Sequence, residues 1–442
     1  MKNYRIKYFA GVAVAMLAIC QTHAQEILTK KAALQTALEN NYGVKVAKNN
    51  VLVAENNSSI YNSGYLPTVS GSAGANYNNS NQKIERQDGT SSEVKGAETE
   101  TYNASIGLNY TIFDGLGRKY NYQQLKESYN LTALQAREAI ENMYLQLFTS
   151  YFQVARLTKN TENLKTALQV SKDRLQRARY QYDYGQSTKL EWLNAQVDVN
   201  NDSINYVNSK QSLNNALRNL NVVLGAQRSI DYQVETDVTF ANLLSFDDLY
   251  AKALENNVLL KQYDKNIAIN ALNEKISKSD YLPTLGFSSS YGWNKSNNPA
   301  TSFLAGSRST GFNAGLNLSW NLFDGGLTKT RVANAKIAIE NQKILKEQQL
   351  NILENNLKNA YESYQNALFV LKAQKQNLET NTDNFNRTEE RYKLGQVTSI
   401  EFRQAQINLL NAQNALNNAR YDAKLLELSL LQLSGELLNT NF

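Results

Sequence analysis

The two side chains on which nucleophilic enzymes and zinc sites most often depend each occur once in this 442-residue chain, as Cys20 and His23. Both follow Lys2, Arg5, Lys7 and the apolar run Tyr8 to Ile19, a layout that reads as an export signal cleaved after Ala24. The alternative takes Leu17-Ala18-Ile19-Cys20 as a lipoprotein box with Cys20 acylated; Ile19 is bulky where that signal wants a small residue, so simple cleavage is the expectation. Cleavage leaves a mature chain with neither residue. Cys-His and Ser-His-Asp catalysis and the usual zinc sites then have no reacting group. Carboxylate-only chemistry stays formally open, but no paired acidic motif stands out in the strand or loop segments. Neither a cofactor nor an enzymatic activity is expected.

Two carboxylates recur at one position of a repeated block. RARYQYDYGQSTKLEWLNAQ, residues 177–196, is matched by RTEERYKLGQVTSIEFRQAQ, residues 387–406. Each has the pattern Tyr-x-x-Gly-x-x-Thr, with a glutamate six residues after the glycine: Tyr182, Gly185, Gln186, Ser187 and Glu191, then Tyr392, Gly395, Gln396, Val397 and Glu401, with Gln404 one turn further on. Glycine ends a helix with a left-handed residue, and Ser187-Thr188 or Thr398-Ser399 caps the next one, so both blocks read as tips of helical hairpins.

Positioning such tips requires the rest of the chain, which is duplicated. ALENN occurs at 37–41 and 253–257 and YLPT at 65–68 and 281–284, each pair offset by 216; FDG at 113–115 and 323–325 and the tip glycines are offset by 210. The change of six falls between Thr68 and Phe113. Each half opens with a helix, Thr29 to Asn62 or Phe246 to Asp280, which the proline at 67 or 283 terminates. After FDG, about Leu116 to Tyr184 and Leu327 to Leu394 lack proline and nearly lack glycine, and apolar residues recur at three- and four-residue steps as in packed coiled-coil helices. At 1.5 Å per residue, roughly 69 residues make a rod of about 100 Å. Shorter return helices, about Lys189 to Val223 and Ser399 to Leu433, end at Gly225 and Gly435. The expected layout is therefore a signal at 1–24, a first repeat at 25–225, an irregular connector at 226–245, a second repeat at 246–435 and a tail at 436–442.

Between YLPT and FDG the period changes from 3.6 to 2, predicting four strands at 66–78, 101–112, 282–294 and 310–322, joined by polar loops Asn78 to Glu100 and Asn294 to Thr310. One face carries residues such as Val69, Ile106, Leu108, Phe287, Phe312 and Leu316, with Tyr77, Tyr110, Tyr291, Trp293 and Trp320 toward the ends; the other carries Ser, Thr, Asn and Gly. A soluble sheet with one wet face gives such alternation. So does a transmembrane barrel strand, and the export signal favours the barrel, with the five end aromatics at the lipid interface. No other run approaches the roughly 18 apolar residues of a membrane-spanning helix. Removing Lys2, Arg5 and Lys7 with the leader lowers the net charge from +6 to +3, too mild to indicate nucleic-acid binding. Four strands cannot close alone; eight from two chains would be filled by side chains, whereas twelve from three would leave a lumen. A conduit therefore predicts a homotrimer.

The doubled Tyr-Leu-Pro, the doubled Phe-Asp-Gly and the doubled tip pattern, in this order over the whole mature sequence, resemble the TolC-like outer-membrane efflux proteins. The resemblance implies a mainly α fold: internally duplicated long α-helical hairpins forming a tunnel across the periplasm, plus four β-strands per chain in a 12-stranded barrel in the outer membrane. It implies a passive gated exit duct, opened as the tips splay and docked to a periplasmic adaptor (membrane fusion protein) and an inner-membrane pump or ABC transporter of a tripartite efflux or type I secretion system. It favours small molecules as cargo. In relatives a carboxylate and a tyrosine, here at the positions of Glu191 and Tyr392, hold the tip shut; the arginine that completes the link is replaced by Val397. Two acidic rings constrict relatives' entrances; Glu401 matches the first, while the second falls on Gln404. Glu401 would place three carboxylates around a pore and raise its own pKa by mutual repulsion. The resemblance makes Gly185, Gln186, Ser187, Gly395, Gln396 and Val397 the docking tips. Packing between helices is the other reading of Tyr182 and Tyr392, a solvated surface glutamate that of Glu401, and a pair with Lys189 that of Glu191. A structural coiled-coil protein of the envelope would explain the rods and export, but not the strands.

Overall fold

The computed structural model describes residues 27–226, 232–241 and 245–439. The export signal, Cys20 and its lipidation alternative lie outside them. In chain order the elements are β1 (Ile27–Leu28), α1 (Lys30–Asn40), α2 (Tyr42–Asn57), β2 (Thr68–Glu85), β3 (Ser91–Asp114), α3 (Gly117–Asp183), α4 (Lys189–Leu224), β4 (Gln233–Val234), α5 (Phe246–Asn256), α6 (Val258–Ser279), β5 (Thr284–Asn297), β6 (Gly306–Ser319), α7 (Leu327–Lys393) and α8 (Ser399–Leu433). They form two compact units, one built from residues up to Lys48, Ala136–Val258 and from Leu350 on, the other from Asn49–Gln135 and Leu259–Gln349.

The second unit holds the sheet, ordered β2-β3-β5-β6 and antiparallel throughout. Its register keeps the expected faces. Val69 pairs with Leu108, Ile106 with Tyr291, Tyr291 with Phe312 and Phe287 with Leu316, so one face is apolar across four strands. On the other, Ser72 pairs with Ser105, their hydroxyls 2.8 Å apart, and Ser290 pairs with Asn313. Four of the five end aromatics fall on the apolar side, Tyr77, Tyr291 and Trp293 toward the hairpin end and Tyr110 toward the other. Trp320 follows β6 and donates its indole N–H to the Tyr281 carbonyl at 3.1 Å. A bulge between Thr111 and Phe113 brings Phe113 opposite Leu285.

Asp114 and Asp324 of the two FDG motifs cap the long helices: each accepts the backbone N–H four residues on, of Arg118 and of Thr328, at 2.8 Å. The preceding turns need positive φ at Gly115 (66°) and Gly325 (70°). The long helices then run 67 residues each, and no described helix is apolar enough over its length to cross a membrane.

Three expectations need correction. The polar stretch Asn78 to Glu100 is mostly strand: β2 and β3 continue as a two-stranded ribbon to the turn at Arg86–Thr90, held by backbone pairing and by polar contacts such as Tyr77 to Glu98 at 2.8 Å. Polarity concealed it because these strands pair while burying little beyond Ala97. β5 and β6 likewise reach Asn297 and start at Gly306, shortening the second loop. The opening helix of each half breaks at the last Asn of ALENN. Asn41 takes ψ 129°; its amide accepts from Val44 N at 3.2 Å and donates to the Val223 carbonyl at 2.8 Å, so one side chain replaces the interrupted backbone bonds. Asn257 takes ψ 125° and donates to the Leu433 carbonyl at 3.0 Å. Facing these breaks are Gly225 and Gly435, where an added Cβ would come within 2.3 Å of the Asn40 carbonyl oxygen and 2.5 Å of the Asn256 carbonyl carbon.

The connector is also less irregular than expected. β4 pairs in parallel with β1, and buried Tyr151 ties both, donating to the Leu28 carbonyl at 2.6 Å and accepting from Glu235 N at 2.9 Å. Tyr421 donates to the Thr236 carbonyl at 3.0 Å; burial pushes its pKa up to about 12, so it stays a neutral donor. Around them Leu147, Phe148, Phe152, Leu220, Leu224 and Leu428 form the core, which also takes Leu437 from the segment expected to be a tail.

Candidate functional site

Both tips are built alike. Gly185 and Gly395 each have φ 73°, and the following N–H, of Gln186 or Gln396, reaches back to the carbonyl of Gln181 or Arg391 at 2.7 and 2.8 Å, closing the helix end. Thr188 and Thr398 cap α4 and α8 through the amides of Glu191 (3.4 Å) and Glu401 (3.2 Å).

The glutamates then diverge. Glu401 completes a capping box, accepting from the Thr398 N–H at 2.7 Å and hydroxyl at 2.8 Å. These bonds, backbone first, hold its carboxyl below the ordinary glutamate range, whereas the sequence led to an expectation of a raised value in an assembled ring. Glu191 instead accepts the Ser187 hydroxyl, for which Val397 offers no counterpart. Gln404 donates to Asn408 at 2.8 Å on the α8 surface.

The tyrosines diverge too. Tyr182 stacks on Trp192, centroids 5.5 Å apart, and is 37% exposed; Tyr392 stacks on Phe402 at 4.7 Å and is 9% exposed. The difference is Arg177 on α3, whose guanidinium lies 5.1 Å above the Tyr392 ring and donates to the Lys393 carbonyl at 2.7 Å. Among the described residues no hydrogen bond joins Glu191 to Tyr392. Glu191 is engaged by Ser187, and the Tyr392 ring lies between Phe402 and Arg177.

Just behind the tips lies a network that the sequence reading missed. Arg403 on α8 makes a bidentate pair with Asp202 on α4, both contacts 2.7 Å, and Arg174 on α3 pairs with Asp198 and donates to the Ser399 carbonyl at 3.2 Å. Ser171 donates to Asp202 at 2.5 Å, and Gln406 donates to the Ala167 carbonyl at 2.7 Å. Ser171, Arg174, Asp202 and Gln406 are all buried, so these charges bind three helices to one another. Burial opposes the Arg403 charge, but Asp202 and Asp198 outweigh it and raise its pKa. A groove of about 460 Å³ opens beside the network, lined by Glu191, Asp198, Thr398, Ile400 and Arg403 among others. The available signal was asymmetry between the halves: at the corresponding positions Arg403 faces Leu193, Asp202 faces Ala412 and Asp198 faces Asn408.

Neutral polar strand face, capped hairpins and duplicated order agree with one comparison. A model of the family described as outer membrane efflux protein matches residues 33–226 and again 249–436. The chain belongs to this family. It is 24% identical over 381 residues to outer membrane protein TolC of Vibrio cholerae, covering 85% of this chain and 83% of that one. To the outer membrane efflux protein BepC of Brucella suis it is 22% identical over 431 residues, 94% of this chain and 87% of the relative. The fold matches the crystal structure of the Campylobacter jejuni CmeC outer membrane channel with a TM-score of 0.74 at 18% identity, covering 92% of this chain and 85% of that one. As an outer membrane efflux protein the chain is a channel of the outer membrane, and the envelope coiled-coil alternative is set aside.

Proposed function

We propose that three copies form one passive, gated exit duct, its barrel in the outer membrane and its helical hairpins in the periplasm. The observation that carries this reading is the sheet. β2 and β6 are open edges, and the face between them is apolar on one side and neutral polar on the other. In hydrocarbon an unpaired backbone edge is untenable, so β6 of one copy must pair with β2 of the next. Twelve strands close around a lumen lined by Ser, Thr, Asn and Gly, suited to passage rather than retention.

The tips form the gate and the docking site for a periplasmic adaptor, which links the duct to an inner-membrane pump or ABC transporter; small molecules are the cargo. Glu401 of three copies rings the entrance, each carboxylate kept ionised by its capping box. Tyr77, Tyr110, Tyr291, Trp293 and Trp320 meet the lipid interface. Detergent-corrected mass of the protein extracted from outer membranes tests the assembly: three chains per particle is the expected result, and a stable monomer would overturn it.

A further inference from the structure

Deepening the threefold assembly, on which it rests, we infer that the surface between copies is α7 of one copy laid on α4 and the first tip of the next. Shifting the contacts within one chain by the 210-residue repeat yields this surface. Within the chain, α3 lies against α8 through two Asn pairs, Asn163 with Asn414 at 3.1 Å and Asn160 with Asn417 at 3.2 Å, and against the second tip through Arg177 on Tyr392. Moved by one repeat, the same contacts join α7 to α4: Ala373 with Ile204, Val370 with Val207, and Arg387 with Tyr182.

No copy makes these contacts alone. Ile204 is 58% exposed, Val207 61% and Val370 38%. Asn pairs inside the chain become apolar pairs between chains, so residues that face water in one copy find apolar partners in another. Leu190, Leu193 and Val197 extend the exposed apolar stripe of α4 toward the first tip.

At the tip the arginine repeats. Arg387 is exposed and makes no ion pair or hydrogen bond among the described residues, whereas its counterpart Arg177 both covers a tyrosine and caps a helix end. Tyr182 is the more exposed of the two tip tyrosines, and the Asp183 carbonyl stands where Lys393 stands in the second tip. The neighbour's Arg387 fits over Tyr182 and donates to Asp183. Every tip is then gripped by the long helix of the other hairpin, in its own chain or the next.

The test uses paired cysteines in the full chain, which after leader cleavage has none of its own. Val207→Cys with Val370→Cys, oxidised in outer membranes, is expected to convert the monomer band into bands of two and three chains on a non-reducing denaturing gel. Asn160→Cys with Asn417→Cys, the equivalent pair inside one chain, is expected to oxidise without a change in chain number. Particle mass separates the two ways of failing. Trimeric particles whose 207/370 pair stays monomeric on the gel would overturn this surface alone; monomeric particles would overturn it together with the threefold duct.

Discussion

The two hairpin tips share a backbone and differ in what surrounds it. Both turn through a left-handed glycine and a threonine cap, and both stand on the buried ion network that joins the hairpins, yet the second is covered by Arg177 and completes a capping box, while the first exposes its tyrosine and ties its glutamate to Ser187. Duplication thus supplies the hairpin, and the side chains decide which copy of it the chain holds fixed. The second tip is held from within the chain; the first is left for contacts from outside it.

The largest expected effect comes from removing the network on which both tips stand. Arg403→Met leaves Asp202 buried without its bidentate partner and should cost about 3–5 kcal/mol in thermal or denaturant unfolding; a loss under about 1 kcal/mol would mean that water reaches Asp202. Next, Tyr392→Ala should cost about 3 kcal/mol through the lost stack and the cavity it leaves. Tyr392→Phe should stay within about 0.5 kcal/mol with unchanged conductance, since the hydroxyl has no hydrogen-bond partner among the described residues. Raised conductance would instead show that the hydroxyl reaches Glu191 in the assembled tip.

Smaller differences should follow at the caps. Thr398→Ala is expected to cost about 1 kcal/mol and Thr188→Ala about half as much, because only the former dismantles a reciprocal box; equal losses would erase the distinction between the tips. Smallest in stability, though not in function, is Glu401→Gln, expected to reduce cation selectivity in bilayer recordings. Because the Glu401 carboxyl is held below its ordinary value, its cap contributes in full above the ordinary glutamate range and is lost as pH falls through the depressed value, so acid should loosen the cap of the second tip. Selectivity unchanged in the variant would remove Glu401 from the entrance.

Much of this was legible in the sequence because it rests on spacing. Period-2 faces, Asp114 and Asp324 as caps, and Gly185 and Gly395 as left-handed turns depend on residue type and local order alone. The breaks at Asn41 and Asn257 were not, since Asn interrupts a helix only where a carbonyl such as that of Val223 waits across the fold. Nor was the pairing of Arg403 with Asp202, in which the partners stand 201 residues apart and each reads alone as a surface charge. The tip tyrosines mark the limit of positional matching, for identical pattern positions are covered in one half and open in the other.

The ribbon beyond the sheet has a practical consequence. β3 residues 91–99 pair only with β2, because β5 ends opposite Glu100, and an isolated two-stranded hairpin is marginally stable in water. Its turn, at Asp88-Gly89, closes no core. In the proposed duct that turn is displayed on the cell exterior. An affinity tag spliced there should be readable on intact cells by an antibody too large to enter, turning the six-residue difference between the two halves into a handle for following where the protein is and which way it faces.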